Sequence, residues 1–501
     1  MRRILLIKPY RPERLWVTTQ PLGIMAVAAY LRRAAEARGE QLEFMLRDLN
    51  PGRELPEDVM DEIIAFRPDV VGISCLSVES MAAHALSREV KKHLPHVPIV
   101  IGGPYPSHDI KMAMEDENID FGVINEGEVT FDELLDTLWN GGDVGTVKGI
   151  AYRDEQGNVV QTPPRPFIED LDSLPMPAYD LIDMKGFFHA PRHSRLYAHR
   201  EYMSISSTRG CPFQCSYCHV TLGKKTRFRS AEVVVDEIQH LVENYGIKEI
   251  QWSDDIWNLD KDRAKKICDL LLERGLDIKM AWPNGVRGDL IDDELLDKMK
   301  AAGSYMIVFA PESGSKRVQR YIKKNARIDR LKEVVRKASE RGIYCHGYFM
   351  VGFPTETESE MRETFDWALT SRLNSCSFFI VNAHPGTVLY EQAKAEGLDV
   401  DYASTSHNYM DPDFSLSEVP TPKLRSMMRT TYLRFLLNPV RIWRTVRAVP
   451  RVSILGALVW DLLHRLFRDF RGQELDHYDA EGIPDYERLR ILRDQGSYNR
   501  I

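Results

Sequence analysis

Two hydrophobic patterns alternate along the chain. Short, solidly apolar runs read RRILLIKP, QLEFMLRD, PDVVGISC, PIVIGGPY and DFGVINEG; between them lie longer amphipathic stretches such as PLGIMAVAAYLRRAAEARG and SVESMAAHALSREVKKHLP. Solid runs of this length predict strands buried on both faces, and the longer stretches predict helices. Five such units in residues 1–145 predict an open, doubly wound parallel sheet with helices on both sides. The pattern then breaks. GIAYRDEQGNVVQTPPRP predicts a hairpin around Gln156-Gly157-Asn158, and a proline-rich linker runs on to DSLPMPAYDLI, so residues 146–195 are expected to form a linker with a hairpin.

The alternation resumes over residues 196–400. Strand candidates are YMSISSTR, IKEIQWSD, DIKMAWPN, YMIVFAPE, YCHGYFMVGF and SCSFFIVN, separated by helices such as AEVVVDEIQHLVENYG and RLKEVVRKASERG. Six strand–helix units fall short of the eight of a closed barrel, which predicts an incomplete, six-unit (β/α) barrel. Residues 401–501 are expected to be helical and basic, with a loosely ordered end.

The chain has 501 residues, enough for several domains. Its 66 Lys and Arg against 74 Asp and Glu leave a formal charge of −8, which argues against a nucleic-acid binder. The N-terminal apolar run is too short for a signal peptide, and no run reaches the length of a membrane-spanning helix. An odd number of cysteines, seven, in so large a chain argues against a disulfide framework and fits a reducing cytoplasm.

Three of those cysteines crowd into SSTRGCPFQCSYCHV as Cys211-x-x-x-Cys215-x-x-Cys218. Three thiolates on a short loop can ligate three irons of a [4Fe–4S] cubane and leave the fourth open to a small molecule. The loop follows the first barrel strand, at the C-terminal mouth where barrels carry their chemistry. The alternative is zinc with His219 as fourth ligand, although zinc sites usually pair cysteines with a second, more distant pair.

RGCPFQCSYC resembles the CxxxCxxC signature of radical S-adenosylmethionine (radical SAM) enzymes, and the resemblance extends from about Tyr202 to Thr387. It implies that Cys211, Cys215 and Cys218 hold the cluster and that its open iron chelates SAM. Cleavage of SAM would then give a 5′-deoxyadenosyl radical that abstracts hydrogen from substrate. It also implies SAM contacts at Tyr217, at Asp254 and Asp255 of WSDD, at Glu312 and Ser313 of PESGS, and at Gly352 and Pro354 of GYFMVGFPTET, with HPGTVLY resembling a further turn of the family. Paired aspartates at a strand end are equally a helix cap.

In the first domain, Ser74-Cys75-Leu76 and Gly102-Gly103 stand at strand ends, where doubly wound sheets bind ligands. They resemble the S-x-L and G-G motifs of the cobalamin (vitamin B12)-binding domain. The resemblance implies cobalamin contacts at Ser74, Leu76, Gly102, Gly103, Pro104, Glu126 and Gly127. The D-x-H-x-x-G motif of that family is absent from the chain, and the loop after the first strand reads KPYRPERLW, so bound cobalamin would lack a histidine on its lower face. His84, His93 and His96 are expected to face solvent without a role.

Together the resemblances imply a cobalamin-dependent radical SAM enzyme, of the class B methyltransferase type, that methylates an unactivated carbon. Alternatives are a ring closure or rearrangement without methyl transfer, as in the anaerobic magnesium-protoporphyrin ester cyclase of the same layout, or a cobalamin- or iron–sulfur-dependent sensor. The implied partners are a small-molecule substrate and an external electron donor of flavodoxin or ferredoxin type. No catalytic acid or base is identified. Residues 421–470 carry ten Lys/Arg against two Asp/Glu. Arg434, Arg441, Arg444 and Arg447 stand among Leu436, Leu437, Trp443 and Val446, which suggests an apolar or polycyclic substrate and a peripheral membrane contact. A helical subdomain packed on the barrel explains the same pattern.

Overall fold

The computed structural model describes residues 1–456 except 11–18, 53, 191, 193–195, 220, 399, 401–414 and 452. These divide into two compact units, up to 193 and from 194 on.

The first unit is built on strands β1 (Arg2–Lys8), β2 (Leu42–Asp48), β3 (Val70–Ser74), β4 (Ile99–Gly102), β5 (Phe121–Val123), β6 (Ile150–Arg153) and β7 (Val159–Gln161), in the order β2-β1-β3-β4-β5-β6-β7. The first five are parallel, and the order reverses beside β1, the switch point of a doubly wound sheet. Helices α1 (Leu22–Arg38), α2 (Pro56–Phe66), α3 (Ser80–His93), α4 (Pro104–His108), α5 (Ile110–Glu115) and α6 (Gly127–Trp139) make the crossovers. The hairpin expected around residue 157 forms, but it is not a free linker. Its strand β6 pairs antiparallel with β5, so β6 and β7 extend the sheet. His84 also departs from expectation: its ring lies between Asp116 (2.9 Å) and the Tyr105 hydroxyl (3.0 Å), largely buried. Burial pushes the Asp116 carboxyl up, but hydrogen bonds from His84, Asn118 and Ser87 outweigh it and hold the group well below the usual carboxylate range.

After α7 (Met184–His189), the second unit begins with β8 (Tyr202–Ile205), followed by the short pair β9 (Thr208–Arg209) and β10 (Arg227–Phe228) that brackets the cysteine loop. Then β11 (Glu249–Trp252), β12 (Lys279–Val286), β13 (Ser304–Glu312), β14 (Tyr344–Val351) and β15 (Ser375–Ile380) join β8 in a six-stranded parallel sheet in sequential order. The helices are α8 (Ala231–Tyr245), α9 (Lys261–Glu273), α10 (Asp293–Ala301), α11 (Lys316–Tyr321), α12 (Ile328–Glu340), α13 (Glu358–Thr370) and α14 (Val388–Ala395). This is the incomplete barrel that the six units predict. Cys345 Sγ faces the Val335 carbonyl of α12, which puts odd-numbered β14 residues on the helix side. Those are buried, whereas His346, Tyr348 and Met350 on the inner side are only half-buried. The N-terminal end of the lumen is filled by Leu196, Ala198, Tyr305, Met306, Tyr344 and Ile454, and Glu249 accepts the backbone N–H groups of Ala198 and His199 there.

An incomplete barrel leaves a raw strand edge at β15. Helix α15 (Thr421–Leu436) lies against α13 with Leu424, Met428, Thr431 and Phe435 buried, and the Phe378 N–H of β15 donates to the Tyr432 hydroxyl (2.6 Å). Helix α16 (Pro439–Ala448) follows. The basic tail is thus partly a packed subdomain. Arg441, one of the arginines read as part of a membrane contact, is buried and donates to the carbonyls of Leu373, Phe435, Ala368, Leu369 and Ser371. The apolar run VSILGALVW and everything after it fall largely outside the described residues. Among the described residues no helix is long and apolar enough to cross a membrane.

Candidate active site

The cysteine loop is held at the C-terminal end of the barrel strands by backbone bonds to distant elements. Ser216 N donates to Ile322 O (2.9 Å), Leu389 N donates to Ser216 O (2.8 Å), and Cys211 N donates to Gly223 O (3.1 Å). Gly210 sits at φ 84°, and a Cβ there would lie within 3 Å of the carbonyls of Lys225, Gly223 and Leu222, so only glycine fits. Arg287 stacks on Phe213 at 4.0 Å, and Lys224 Nζ donates to Phe213 O. The loop is therefore rigid, while Cys218 is exposed and Cys211 and Cys215 half-buried.

Burial, chiefly, pushes the Cys211 and Cys218 thiols up, Cys218 to about 11; neighbouring cysteines and Asp255 add to it. Iron would reverse this, because a coordinating thiol is deprotonated outright. Among the described residues no three His, Cys, Asp or Glu side chains converge as a single ion requires. A cubane asks each cysteine for a different iron, so its ligands stand apart. His219 Nε2 meets Pro385 O at 2.8 Å, and the ring packs beside His384. Three cysteines on one loop, with His219 engaged at Pro385 O, fit the three-cysteine ligand set of a [4Fe–4S] cluster.

Asp254 and Asp255 follow β11 directly. Asp254 is buried, and its Oδ1 accepts from Ser207 N (2.9 Å), Ser207 Oγ (2.8 Å) and Thr208 Oγ1 (2.7 Å), the residues leading into the cysteine loop. Burial raises its pKa against these bonds. Asp255 accepts from Gly210 N (2.9 Å) with its side chain exposed. The pair thus ties the loop to β11, and it is backed by Trp252, Trp257 and Trp282, packed ring on ring at 5.0–6.0 Å.

Glu312 ends β13 in the left-handed region (φ 62°), a conformation that costs energy in a non-glycine residue and is common at functional sites. Its Oε1 accepts from Tyr217 OH (3.2 Å) and Lys324 Nζ (2.8 Å), a largely buried cluster joining the cysteine loop to the turn after α11. Lys324 has no signal in the sequence, since its partners become visible only when the loop folds back on β13. Ser313 is fully buried and bonded to Thr364 Oγ1 (3.1 Å), which anchors α13. Gly352 (φ 88°) and Phe353 donate their N–H groups to Glu356 Oε2, and Pro354 completes the turn after β14. Glu356 is fully buried, and burial pushes it up to about 8. No motif in the sequence marks Glu356, because its burial depends on the turn that Gly352 and Phe353 close around it.

In the first unit, Ser74 and Gly102 are paired at the ends of β3 and β4. A Cβ on Gly102 would meet nothing nearer than Val123 Cβ at 4.0 Å, so open space lies over the backbone. At Gly103 (φ 90°) a Cβ would press on Cys75 O and Ser74 Oγ at 2.9 Å, and Pro104 starts α4 beside it. Leu76, just after β3, is 44 % exposed, an apolar side chain free to cover a ligand. Glu126 accepts Ile168 N (2.7 Å), and Gly127 opens α6. An open, glycine-floored cradle at the C-terminal ends of the strands fits a bulky cofactor such as cobalamin.

Fold and site define an enzyme with a three-cysteine iron–sulfur loop on an incomplete barrel, joined to a cofactor-binding doubly wound domain. Residues 205–368 match the model of the radical SAM superfamily, and residues 17–135 that of the B12 binding domain. The chain is 31 % identical to an uncharacterized methyltransferase of Pyrococcus horikoshii, over 84 % of this chain and 89 % of that one. It is 28 % identical to the cytidylyl-2-hydroxyethylphosphonate methyltransferase of Streptomyces wedmorensis, over 84 % and 79 %. Its fold is similar to that of the radical SAM methyltransferase TsrM of Kitasatospora setae with cobalamin and a [4Fe–4S] cluster bound (TM-score 0.66, 19 % identity, covering 88 % and 89 %). The chain belongs to the radical SAM superfamily, among its members with a B12-binding domain, and its cofactors are a [4Fe–4S] cluster, SAM and cobalamin.

Proposed function

We propose that the protein methylates an unactivated carbon of a small molecule held in the barrel lumen. When bound, the cluster with SAM supplies hydrogen-atom abstraction, and cobalamin supplies a transferable methyl group. In this reading Cys211, Cys215 and Cys218 ligate the cluster. Tyr217, Glu312, Ser313, Gly352 and Pro354 border SAM, while Asp254 and Asp255 hold the loop in register. Ser74, Leu76, Gly102, Gly103, Pro104, Glu126 and Gly127 floor the cobalamin cradle. An external one-electron donor of flavodoxin or ferredoxin type is required.

The observation that carries the reading is the half-buried inner face of β14 and β15 beneath the cysteine loop. His346 lies there between Ser375 Oγ (2.6 Å from Nδ1) and Ser377 Oγ (3.3 Å from Nε2), the Tyr344 hydroxyl donates to Ser375 Oγ, and Tyr348 crosses Phe379 edge-on. Aromatic walls with hydroxyl and imidazole groups suit a ring-bearing, largely apolar substrate with at least one hydrogen-bonding group. The test is turnover with SAM deuterated in its methyl group, under anaerobic reduction. Product that gains the labelled methyl supports the proposal. Product of unchanged carbon count indicates ring closure or rearrangement instead, and absence of SAM cleavage indicates a sensor.

A further inference from the structure

Helix α16 is built inside out. The side packed on the barrel is polar: Arg441 is buried against five carbonyls, Arg444 is half-buried, and Thr445 meets Asn374. The opposite side is apolar. Val440 is 64 % exposed, Trp443 57 %, Ile442 49 % and Val446 44 %, with Leu437 at 72 % in the turn before the helix. A surface helix of a globular protein normally has the reverse arrangement. Among the described residues, the inner face of α16 is thus held mainly by the hydrogen bonds of Arg441 and Thr445, with Ala448 against the barrel core, and its apolar face is exposed.

Charge narrows what can cover that face. Residues 421–456 contain eight Lys/Arg and no Asp/Glu, in a chain whose formal charge is −8. Arg434 and Arg447 are exposed beside the apolar patch, and the Arg447 guanidinium stacks on the Trp443 ring at 4.4 Å. Apolar side chains that include a tryptophan, rimmed by arginines on a short helix, suit the boundary between acyl chains and anionic headgroups. A second copy of the chain would bring the same positive charge and repel. An acidic protein partner would pair with the arginines but leave the aliphatic side chains without an apolar counterpart.

We infer that α16 docks the protein on an anionic lipid surface, with Leu437, Val440, Ile442, Trp443 and Val446 inserted to the headgroup level and Arg434 and Arg447 on the lipid phosphates. The association is weak and reversible, because the helix is ten residues long and its apolar face small. It is independent of the reaction proposed above.

The experiment is co-sedimentation of the full-length, cluster-loaded protein with vesicles of phosphatidylcholine plus phosphatidylglycerol, and of phosphatidylcholine alone, at low and high salt. The expected result is sedimentation with the mixed vesicles at low salt and release at high salt. The double variant Arg434→Gln/Arg447→Gln should partition roughly thirtyfold more weakly, as two surface cations are lost. Val440→Asp/Trp443→Asp should lose association while keeping the wild-type melting temperature and SAM cleavage, because these side chains are exposed. Sedimentation of that variant equal to wild type, or no sedimentation of wild type, overturns the inference. So does light scattering that shows a wild-type dimer dissociated by Val440→Asp/Trp443→Asp, or an acidic flavodoxin that binds this face while vesicles do not.

Discussion

Asp254 Oδ1 receives both the backbone N–H and the side-chain hydroxyl of Ser207, 47 positions earlier in the chain, at 2.9 and 2.8 Å. With Thr208 as third donor, one buried oxygen fixes the entry to the cysteine loop. Asp254→Ala should lower unfolding stability by about 2–4 kcal/mol, because buried donors to a carboxylate lose their acceptor. Asp255→Ala should cost less, since it removes a single bond from an exposed side chain. Calorimetry with iron analysis checks this. An Asp254→Ala protein with wild-type melting temperature and iron content would refute the anchoring role.

Anaerobically reconstituted protein should carry about four irons per chain. Alanine at Cys211, Cys215 or Cys218 should abolish the cluster absorbance. His219→Ala should leave iron content unchanged, because the ring is engaged with Pro385 O. Tight zinc with no iron, or iron lost in His219→Ala, contradicts the ligand set.

The two glycines of the cobalamin cradle should separate. Gly102→Val meets almost no protein atoms, so the apo protein should melt near the wild-type temperature while cobalamin retention drops. Gly103→Val combines a positive φ with a close approach to Cys75 O and Ser74 Oγ, so it should destabilise the fold itself. Spectra of the bound cofactor should be of the base-off form, since no D-x-H-x-x-G histidine exists. Unchanged cobalamin retention in Gly102→Val, or a histidine-bound spectrum, counts against this geometry.

Glu356 gives a pH signature. Burial raises its carboxyl from 4.5 to about 8, so between those values the folded state holds a proton that the unfolded state releases. Its contribution to stability is therefore fully present below about pH 4.5 and is lost as pH rises through about 8. Glu356→Gln keeps an oxygen to accept Gly352 N and Phe353 N and cannot titrate. Melting temperatures of wild type should fall relative to the variant across that window. Parallel pH curves would show that Glu356 does not titrate there.

The element order was legible in the chain because strand and helix periodicities differ and because β1 to β5 and the six barrel strands are parallel, so they read as solid apolar runs. The cofactors were legible because the motifs that resemble their binding signatures are short and contiguous: Cys211 to Cys218 in one loop, Ser74 to Leu76 at one strand end, Gly102-Gly103 at the next. The hairpin at 150–161 was legible as a hairpin but not as part of the sheet, since pairing of β6 with β5 depends on an edge that exists only once the sheet is formed.

By itself the sequence determined which residues alternate, which cluster, and therefore which cofactor chemistry the chain can carry. Only the tertiary structure decided which polar groups face each other. Lys324 and Tyr217 meet at Glu312 from positions 12 and 95 residues away, Asp254 turns to the cysteine loop, and Arg441 points inward while Trp443, two residues on, points out. Periodicity encodes the sides of an element. It does not encode what each side will face, because a hydrogen bond between distant residues is selected by the packing of the elements that carry them, and in α16 that packing turned the polar side to the protein.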